Sequence, residues 1–485
     1  MASSCTRVPA HTRKGRAVVA AGALALGLGV VAPLGAADAA PVNLYVRGTQ
    51  CSDTGTGTAT LPYCTIVKAA KVATAGQVVM VYAGTYTGEV FPWHSGVQGS
   101  PITFRPVAGN AVTIAGPRHG FTISNQSWIT ITGFTIRNTT SNGIYVANAK
   151  GISMSGNTVQ ASGRPVAGAT AYGVYFSAMT GSTFRGNKVT GNSASGIFIA
   201  AGSTGDQIVG NEVSYNAYGY VRNAVGIDVR GPGNVVSDNR VHHNEDSGIQ
   251  VFTGGDRSRI IDNVVYANKG FTTTVQSNCS HPATGNTAGC ITGDHGIDAY
   301  GVTGGSIIGN TVYGNATSGI NLEGLPAGTS SGFTIANNIA VDNAILCPNG
   351  AGGTVKCPRT GGNIRVDTNS RLGTTLDYDL VNLSAAGTMM IWGTTGYTSL
   401  AAFRTASGQE ARGLQADPRF GNAAAGTFTL LAGSPAIDSA NSSAPSQPTT
   451  DAASKPRVND PATTDTGTGV RTYDDRGAYE FQPAG

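Results

Sequence analysis

Apolar and polar residues alternate along most of this chain in runs too short for an amphipathic helix, and many runs open on a glycine. Gly143-Ile144-Tyr145-Val146 returns as Gly173-Val174-Tyr175-Phe176, Gly196-Ile197-Phe198-Ile199 and Gly226-Ile227-Asp228-Val229. It continues as Gly248-Ile249-Gln250-Val251, Gly296-Ile297-Asp298-Ala299 and Gly319-Ile320-Asn321-Leu322. A second phrase, asparagine followed two places on by a small apolar residue, recurs out of phase at Asn157, Asn187, Asn211, Asn239, Asn263, Asn310 and Asn338. Its spacings of 30, 24, 28, 24, 47 and 28 residues are those of one coil with loops inserted at variable points. Repeats of this size with period two predict an all-β parallel solenoid, in which strands that cannot bury an apolar face alone share one core. Side chains alternate along a strand, so the third residue of each phrase points away from that core. Stacking the phrases predicts one surface ladder: Tyr145, Tyr175, Phe198, Asp228, Gln250, Asp298, Asn321.

Both ends of the stack read as caps. Leu44-Tyr45-Val46 starts a strand, Thr65 to Ala75 has helical apolar spacing, and Val78 to Tyr82 returns to strand. A helix laid over the open end protects edge strands from pairing with other chains. Coils are expected from about 100 to 345, with insertions at 161–171 and 270–293; the second insertion is long enough to suggest a functional loop. Beyond 345 the period fades, and the polar stretch 440–470 is expected to be mobile. The predicted divisions are therefore 1–39, 40–345, and 346–485 as terminal coils and cap.

Residues 1–39 read as a secretory signal: Arg13, Lys14 and Arg16 precede an apolar run from Ala17 to Leu34, and Ala37-Asp38-Ala39 offers small residues for cleavage. A membrane anchor is the rival, but the run is rich in alanine and glycine and short for a bilayer. The remaining chain carries 27 positive and 26 negative side chains. So balanced a charge lacks the field of a general nucleic-acid binder, and an anionic ligand would need local neutralisation. A secreted monomer with neither a nucleic-acid nor a membrane partner is expected. Six cysteines remain as close pairs, Cys51/Cys64, Cys279/Cys290 and Cys347/Cys357. An even count in a secreted chain predicts three local disulfides, with a zinc site as the weaker alternative. The 69 glycines suit tight turns, and none of the glycine-rich stretches leads into a lysine as a phosphate loop does.

Leu44-Tyr45-Val46, Pro62-Tyr63-Cys64-Thr65-Ile66, Ala69-Ala70 and Val81-Tyr82-Ala83-Gly84-Thr85-Tyr86 resemble the opening of secreted right-handed parallel β-helix proteins, among them the polysaccharide lyases of the ninth family. Gly433-Ser434-Pro435-Ala436-Ile437-Asp438 and Gly477-Ala478-Tyr479-Glu480-Phe481 resemble the tail of bacterial proteins of that kind. The resemblance implies a right-handed parallel β-helix. Lyases of that family hold calcium with aspartates around an Asp-Asp-Gly-Leu-Asp motif and one aspartate from the preceding coil. Asp294-His295-Gly296-Ile297-Asp298 is similar, with His295 in place of the middle aspartate, and Asp246 stands two places before its own glycine as Asp294 does. Asp246, Asp294 and Asp298 are thereby implied as calcium ligands. The family's base is a lysine on a following coil, where this chain has Asn321 and Glu323.

The residues themselves allow this chemistry and others. Adjacent strands lie about 4.8 Å apart, roughly twice a calcium–oxygen distance of about 2.4 Å, so carboxylates aligned on neighbouring coils can share an ion. Aspartates at turns also simply cap them. Asp228, two coils from Asp298, is about 9.6 Å away by the coil rise, near the roughly 6.5–9.5 Å separation of an inverting glycosidase pair. Lys269 and His295 are the candidate bases. Arg230 suits bidentate carboxylate binding. Phe252, Tyr300, Tyr145, Tyr175 and Phe198 offer aromatic faces on which sugars stack, or pack across strands, and Asn321 joins them as a substrate contact. The leading expectation is a secreted calcium-dependent lyase that cleaves a uronate polymer by β-elimination. Inverting hydrolysis through Asp228 and Asp298, and a non-catalytic carbohydrate-binding β-helix, are the alternatives.

Overall fold

The computed structural model describes residues 43–163, 170–217, 224–268, 295–325, 328–344, 347–348, 354–355 and 361–483. Among these residues two parallel sheets of 12 strands and one of 11, parallel but for its last strand Thr395–Tyr397, run the length of a right-handed β-helix. Sheet A begins with Leu44–Val46, sheet B with Gly84–Tyr86 and sheet C with Phe121–Ser124. The helical cap forms over Ile66–Val72, with Thr65 accepting a hydrogen bond from the Lys68 amide at its N-terminus. Coils continue well past 345: Ile364–Val366 joins sheet C, Thr375–Asp377 sheet A, and Leu380–Asn382 sheet B. Sequence periodicity fades there because Asn363 and Met389 stand where the phrase has glycine and Asp379 where it has asparagine; the strands still stack in register.

The glycine phrase has a packing cause. A Cβ on Gly226 would sit 2.6 Å from the Gly248 carbonyl oxygen and 2.8 Å from Asn244 Nδ2, so this corner tolerates no side chain. The next residue of each phrase fills the core in a register column, Ile197, Ile227, Ile249, Ile297 and Ile320, all fully buried. Truncating one of these to alanine costs about 2–5 kcal/mol.

Asparagines seal two of the corners between sheets. In the column predicted from sequence, Asn239 Oδ1 accepts from the Asn211 amide at 2.9 Å, while Asn239 Nδ2 donates to Ile208 O at 2.8 Å and to Asn263 Oδ1 at 3.0 Å. That column ends on Asp379 and Glu410, where a buried carboxyl replaces the amide. A second column, Asn192, Asn216, Asn244, Asn268, Asn315, Asn343 and Asn363, repeats the pattern at the entrance to sheet C. Each side chain satisfies a backbone group that a strand-to-strand turn leaves open.

The 440–470 stretch departs from the expectation of mobility: it packs against the coils. Arg457 is fully buried and donates to Asp262 at 2.9 Å and to Glu480 at 3.0 Å. Arg476 reaches the carbonyls of Asp379 and Arg412. Most polar side chains of the 440–470 stretch still face solvent, but Arg457, Asp451 and Asp460 are buried and anchor it. Cys51 and Cys64 form a disulfide. Residues 1–39, Cys279, Cys290 and Cys357 lie outside the described residues, as does the Cys347 side chain. Among the described residues no helix is long and apolar enough to cross a membrane.

Candidate active site on the outer face of sheet C

The predicted ladder is present in register: Tyr145, Tyr175, Phe198, Asp228, Gln250, Asp298 and Asn321 are successive strand partners, and Arg365 follows Asn321. These side chains point away from the core yet are largely covered; Asp228 is 3% exposed, Asp298 4% and Asn321 0%.

Aromatic rings occupy its first part. Tyr145, Tyr175 and Phe198 stack at centroid spacings of 5.4 Å, with His119 on the outer face of Tyr145. Arg230 then lies over Phe198 at 4.9 Å and over Phe252 at 4.5 Å, and Phe252 stacks on Tyr300 at 4.7 Å. The last face is closed by backbone: a Cβ on Gly328 would fall 2.1 Å from Tyr300 Cζ. Every ring is sandwiched along the helix axis, which corrects the expectation that these aromatics offer faces to sugars. Only their edges remain for a ligand.

Arg230 is likewise committed. Its Nε contacts both Asp228 oxygens at 3.1 Å and its Nη2 reaches Oδ2 at 2.8 Å. Arg230 comes directly after the strand Ile227–Val229, two places on from Asp228 and hence on the same face. Burial raises the Asp228 pKa and the guanidinium opposes that rise. Asp228 is therefore a paired anion, ill placed to activate water, and Arg230 is not free to grip a substrate carboxylate.

The reactive chemistry gathers one to three coils further on. Asp298 Oδ2 accepts from Gln250 Nε2 at 2.9 Å, and Oδ1 from Asn321 Nδ2 at 2.8 Å. Asn321 Nδ2 also approaches His295 Nε2 at 3.3 Å, and His295 Nδ1 lies 2.9 Å from Thr317 Oγ1. With an amide N–H on Nε2, the proton of a neutral His295 belongs on Nδ1, directed at the hydroxyl. Glu323 Oε1 stands 3.9 Å from His295 Nε2. One ligating atom each from His295, Asp298 and Glu323 lies within 4.8 Å of the others. Burial, then the repulsion of Glu323, pushes Asp298 up to about 7, against the amides of Gln250 and Asn321. Asp246 is pushed up to about 6 by burial and by Asp228, while its Oδ1 accepts from the Ser247 amide at 2.7 Å.

Asp294 and Lys269 lie outside the described residues. Of the predicted calcium ligands, Asp298 has both oxygens engaged by amides and Asp246 one oxygen by Ser247. The group that does converge on Asp298 contains a histidine nitrogen. Calcium takes six to eight oxygens, and the described residues do not supply such a set. Gln250 stood in the predicted ladder without a role, and Glu323 was visible only as the occupant of the lysine coil. The signal for Glu323 was its place two residues beyond Asn321, on the same strand face.

Residues 119–288 match the family model described as right handed beta helix region, and residues 49–98 match a model for a family of unknown function, DUF1565. The uncharacterized protein YwoF of Bacillus subtilis (strain 168) is 28% identical over 449 residues, spanning 79% of this chain and 90% of that protein. Among solved structures, pectate lyase Pel9A superposes with a TM-score of 0.52 at 16% identity, covering 92% of this chain and 97% of its own. XylC, solved in complex with xylose, gives 0.51 at 12% identity, covering 78% and 87%. At these identities the likeness is one of fold.

Proposed function

We propose that the protein cleaves glycosidic bonds of a polysaccharide laid along the outer face of sheet C, with Asp298 and Glu323 as the reacting pair. The carrying observation is their proximity: atoms within 4.8 Å suit the roughly 5–5.5 Å carboxyl separation of a retaining glycosidase, not the wider gap of an inverting one. Asp298, pushed up to about 7, holds a proton near neutrality and protonates the departing glycosidic oxygen. The Glu323 carboxylate attacks the anomeric carbon, and water then releases the sugar as Asp298 takes a proton back. Gln250 and Asn321 fix the Asp298 carboxyl, each leaving its oxygen a second lone pair.

β-Elimination on a uronate chain is the second reading, favoured by His295. Its unprotonated Nε2 beside Asp298 sets a base next to an acid, as removal of a C5 proton and loss of the C4 oxygen require. Both readings place substrate, acid and base at the same coils. Secretion, implied by the leader-like residues 1–39, fits an extracellular polymer.

Incubation with neutral and uronate polysaccharides, followed by reducing-end release and absorbance of unsaturated products, tests the proposal. Hydrolysis gives reducing ends alone and retained anomeric configuration by NMR; elimination gives both signals. Asp298→Asn and Glu323→Gln should each abolish cleavage while the protein stays folded. Undiminished cleavage in both variants, or an inverted product, would sink the assignment; no cleavage of any glycan leaves a binding protein.

A further inference from the structure

Beyond Asn321 the ladder reaches a cation that the proposed chemistry does not use. Arg365 is the register partner of Asn321 on the next coil. Its side chain is 20% exposed and opens on a cleft of about 390 Å³ lined by Gly324, Arg365, Asp367, Thr368, Ile391 and Thr394 with Gly393. Gly324 directly follows Glu323, so the cleft adjoins the proposed reacting pair. Asp367 fixes the guanidinium from one edge: its Oδ1 accepts from Arg365 Nε at 2.7 Å, and its Oδ2 accepts from the Gly324 amide at 3.0 Å. Among the described residues Nη1 and Nη2 of Arg365 have no hydrogen-bond partner. Arg230 shows the contrast, with its fork spent on Asp228 and both faces covered by rings. Two threonines supply hydroxyl partners in the cleft, as a sugar needs, and Ile391 supplies one apolar wall.

We propose that this cleft is a subsite for a sugar residue carrying an anionic substituent, a carboxylate or a sulfate, which the Nη pair of Arg365 binds in a forked contact. It rests on the reading that a polysaccharide lies along sheet C, and it names the substrate class as an acidic polymer. The geometry explains how a chain with almost balanced charge and a carboxyl-rich centre accepts an anion: the anion is held at Arg365, away from Asp298 and Glu323. A planar fork already held at Nε loses little freedom on binding.

Binding is measured by calorimetry in the cleavage-dead Asp298→Asn protein, with and without Arg365→Gln, using polygalacturonate, dextran sulfate and neutral xylan as probes. Arg365→Gln should weaken binding of one acidic probe about 10–100-fold, as loss of a charge-assisted hydrogen-bond pair does, and leave xylan unchanged. Whichever acidic probe responds identifies carboxylate or sulfate. Arg365→Lys, which keeps the charge and loses the fork, should recover only part of the affinity and guards against misfolding of the glutamine variant. Equal weakening for all three probes, or none for either acidic one, overturns the subsite. The two readings separate cleanly. Selective acidic binding by a protein whose wild type cleaves nothing supports the subsite and defeats the cleavage proposal; cleavage indifferent to Arg365→Gln on acidic polymers does the reverse.

Discussion

Asp298 and Asn321 face each other on successive coils, and a single amide joins them: Asn321 Nδ2 donates to Asp298 Oδ1 at 2.8 Å while also touching His295 Nε2 at 3.3 Å. The asparagine thus ties the acid to its neighbouring base. Among the described residues its buried Oδ1 has no hydrogen-bond partner.

This arrangement predicts the pH profile. Asp298 has to be protonated to act as an acid, so activity should fall as pH rises through about 7. Asp298→Asn should abolish measurable cleavage, a loss of at least the about 10²–10⁴-fold that a general acid contributes. Asn321→Ala removes one hydrogen bond from the Asp298 carboxylate, which raises its pKa further and should carry the falling limb to higher pH. A pH–rate series on wild type and the asparagine variant checks both.

The Asp228–Arg230 pair predicts a stability effect with little direct chemistry. Arg230→Ala strands a buried carboxylate, a change that costs about 3–5 kcal/mol when both partners are buried. The Arg230 side chain is 37% exposed, so solvent screening reduces the expected loss to about 1–3 kcal/mol. Adding Asp228→Asn should restore most of it. Denaturant unfolding of the single and double variants measures the difference.

Asp206 predicts a pH-dependent stabilisation. It occupies a corner column between Ser182 and Asn234 and accepts from the Ser182 amide at 2.9 Å, and among the described residues its buried Oδ2 has no partner. Burial pushes its pKa up to about 7 from 3.8. The folded state therefore holds this proton more tightly than the unfolded chain, and wild type loses stability as pH rises from about 4 to about 7, with no further change above. Asp206→Asn continues the column without that penalty. Melting temperatures should match wild type near pH 4 and exceed it by a margin that grows to pH 7 and then levels; a constant offset would contradict the assignment.

Removal of divalent cations tests calcium separately. Hydrolysis by Asp298 and Glu323 as proposed routes no step through a cation, so on that reading exhaustive chelation should leave glycan cleavage within about twofold of its starting rate. A complete loss restored by calcium would return the site to the ligands first expected, Asp246, Asp294 and Asp298.

The ladder was readable because period-two alternation and a recurrent glycine fix register without reference to anything distant. Asp228, Gln250, Asp298 and Asn321 fell into line for that reason. What each residue was engaged with was less readable. Arg230 looked available for substrate, although its position two places after Asp228 already put both on one face. The aromatic residues were identified correctly as a column, but whether stacked rings expose faces or edges depends on the axis along which they stack. The second asparagine column leaves a weaker trace in the sequence because the residues around it vary more. The carboxy-terminal segment looked mobile because its order comes from partners as far away as Asp262, 195 residues before Arg457.

That segment changes how the molecule should respond to force and heat. Stacked coils linked only to their neighbours unfold piecemeal, each boundary giving way on its own. Here Arg457 grips Asp262, Ala478 donates to Thr311 Oγ1, Gly477 to the Asn337 carbonyl and Arg476 to the Asp379 carbonyl. Four successive coils are thus riveted to one strap along their outside. Fraying of the carboxy-terminal coils cannot proceed until the strap lifts, so these coils should fail together, like a bound book and not a loose stack of pages. Loosening one rivet with Arg457→Met should split a single calorimetric transition into two.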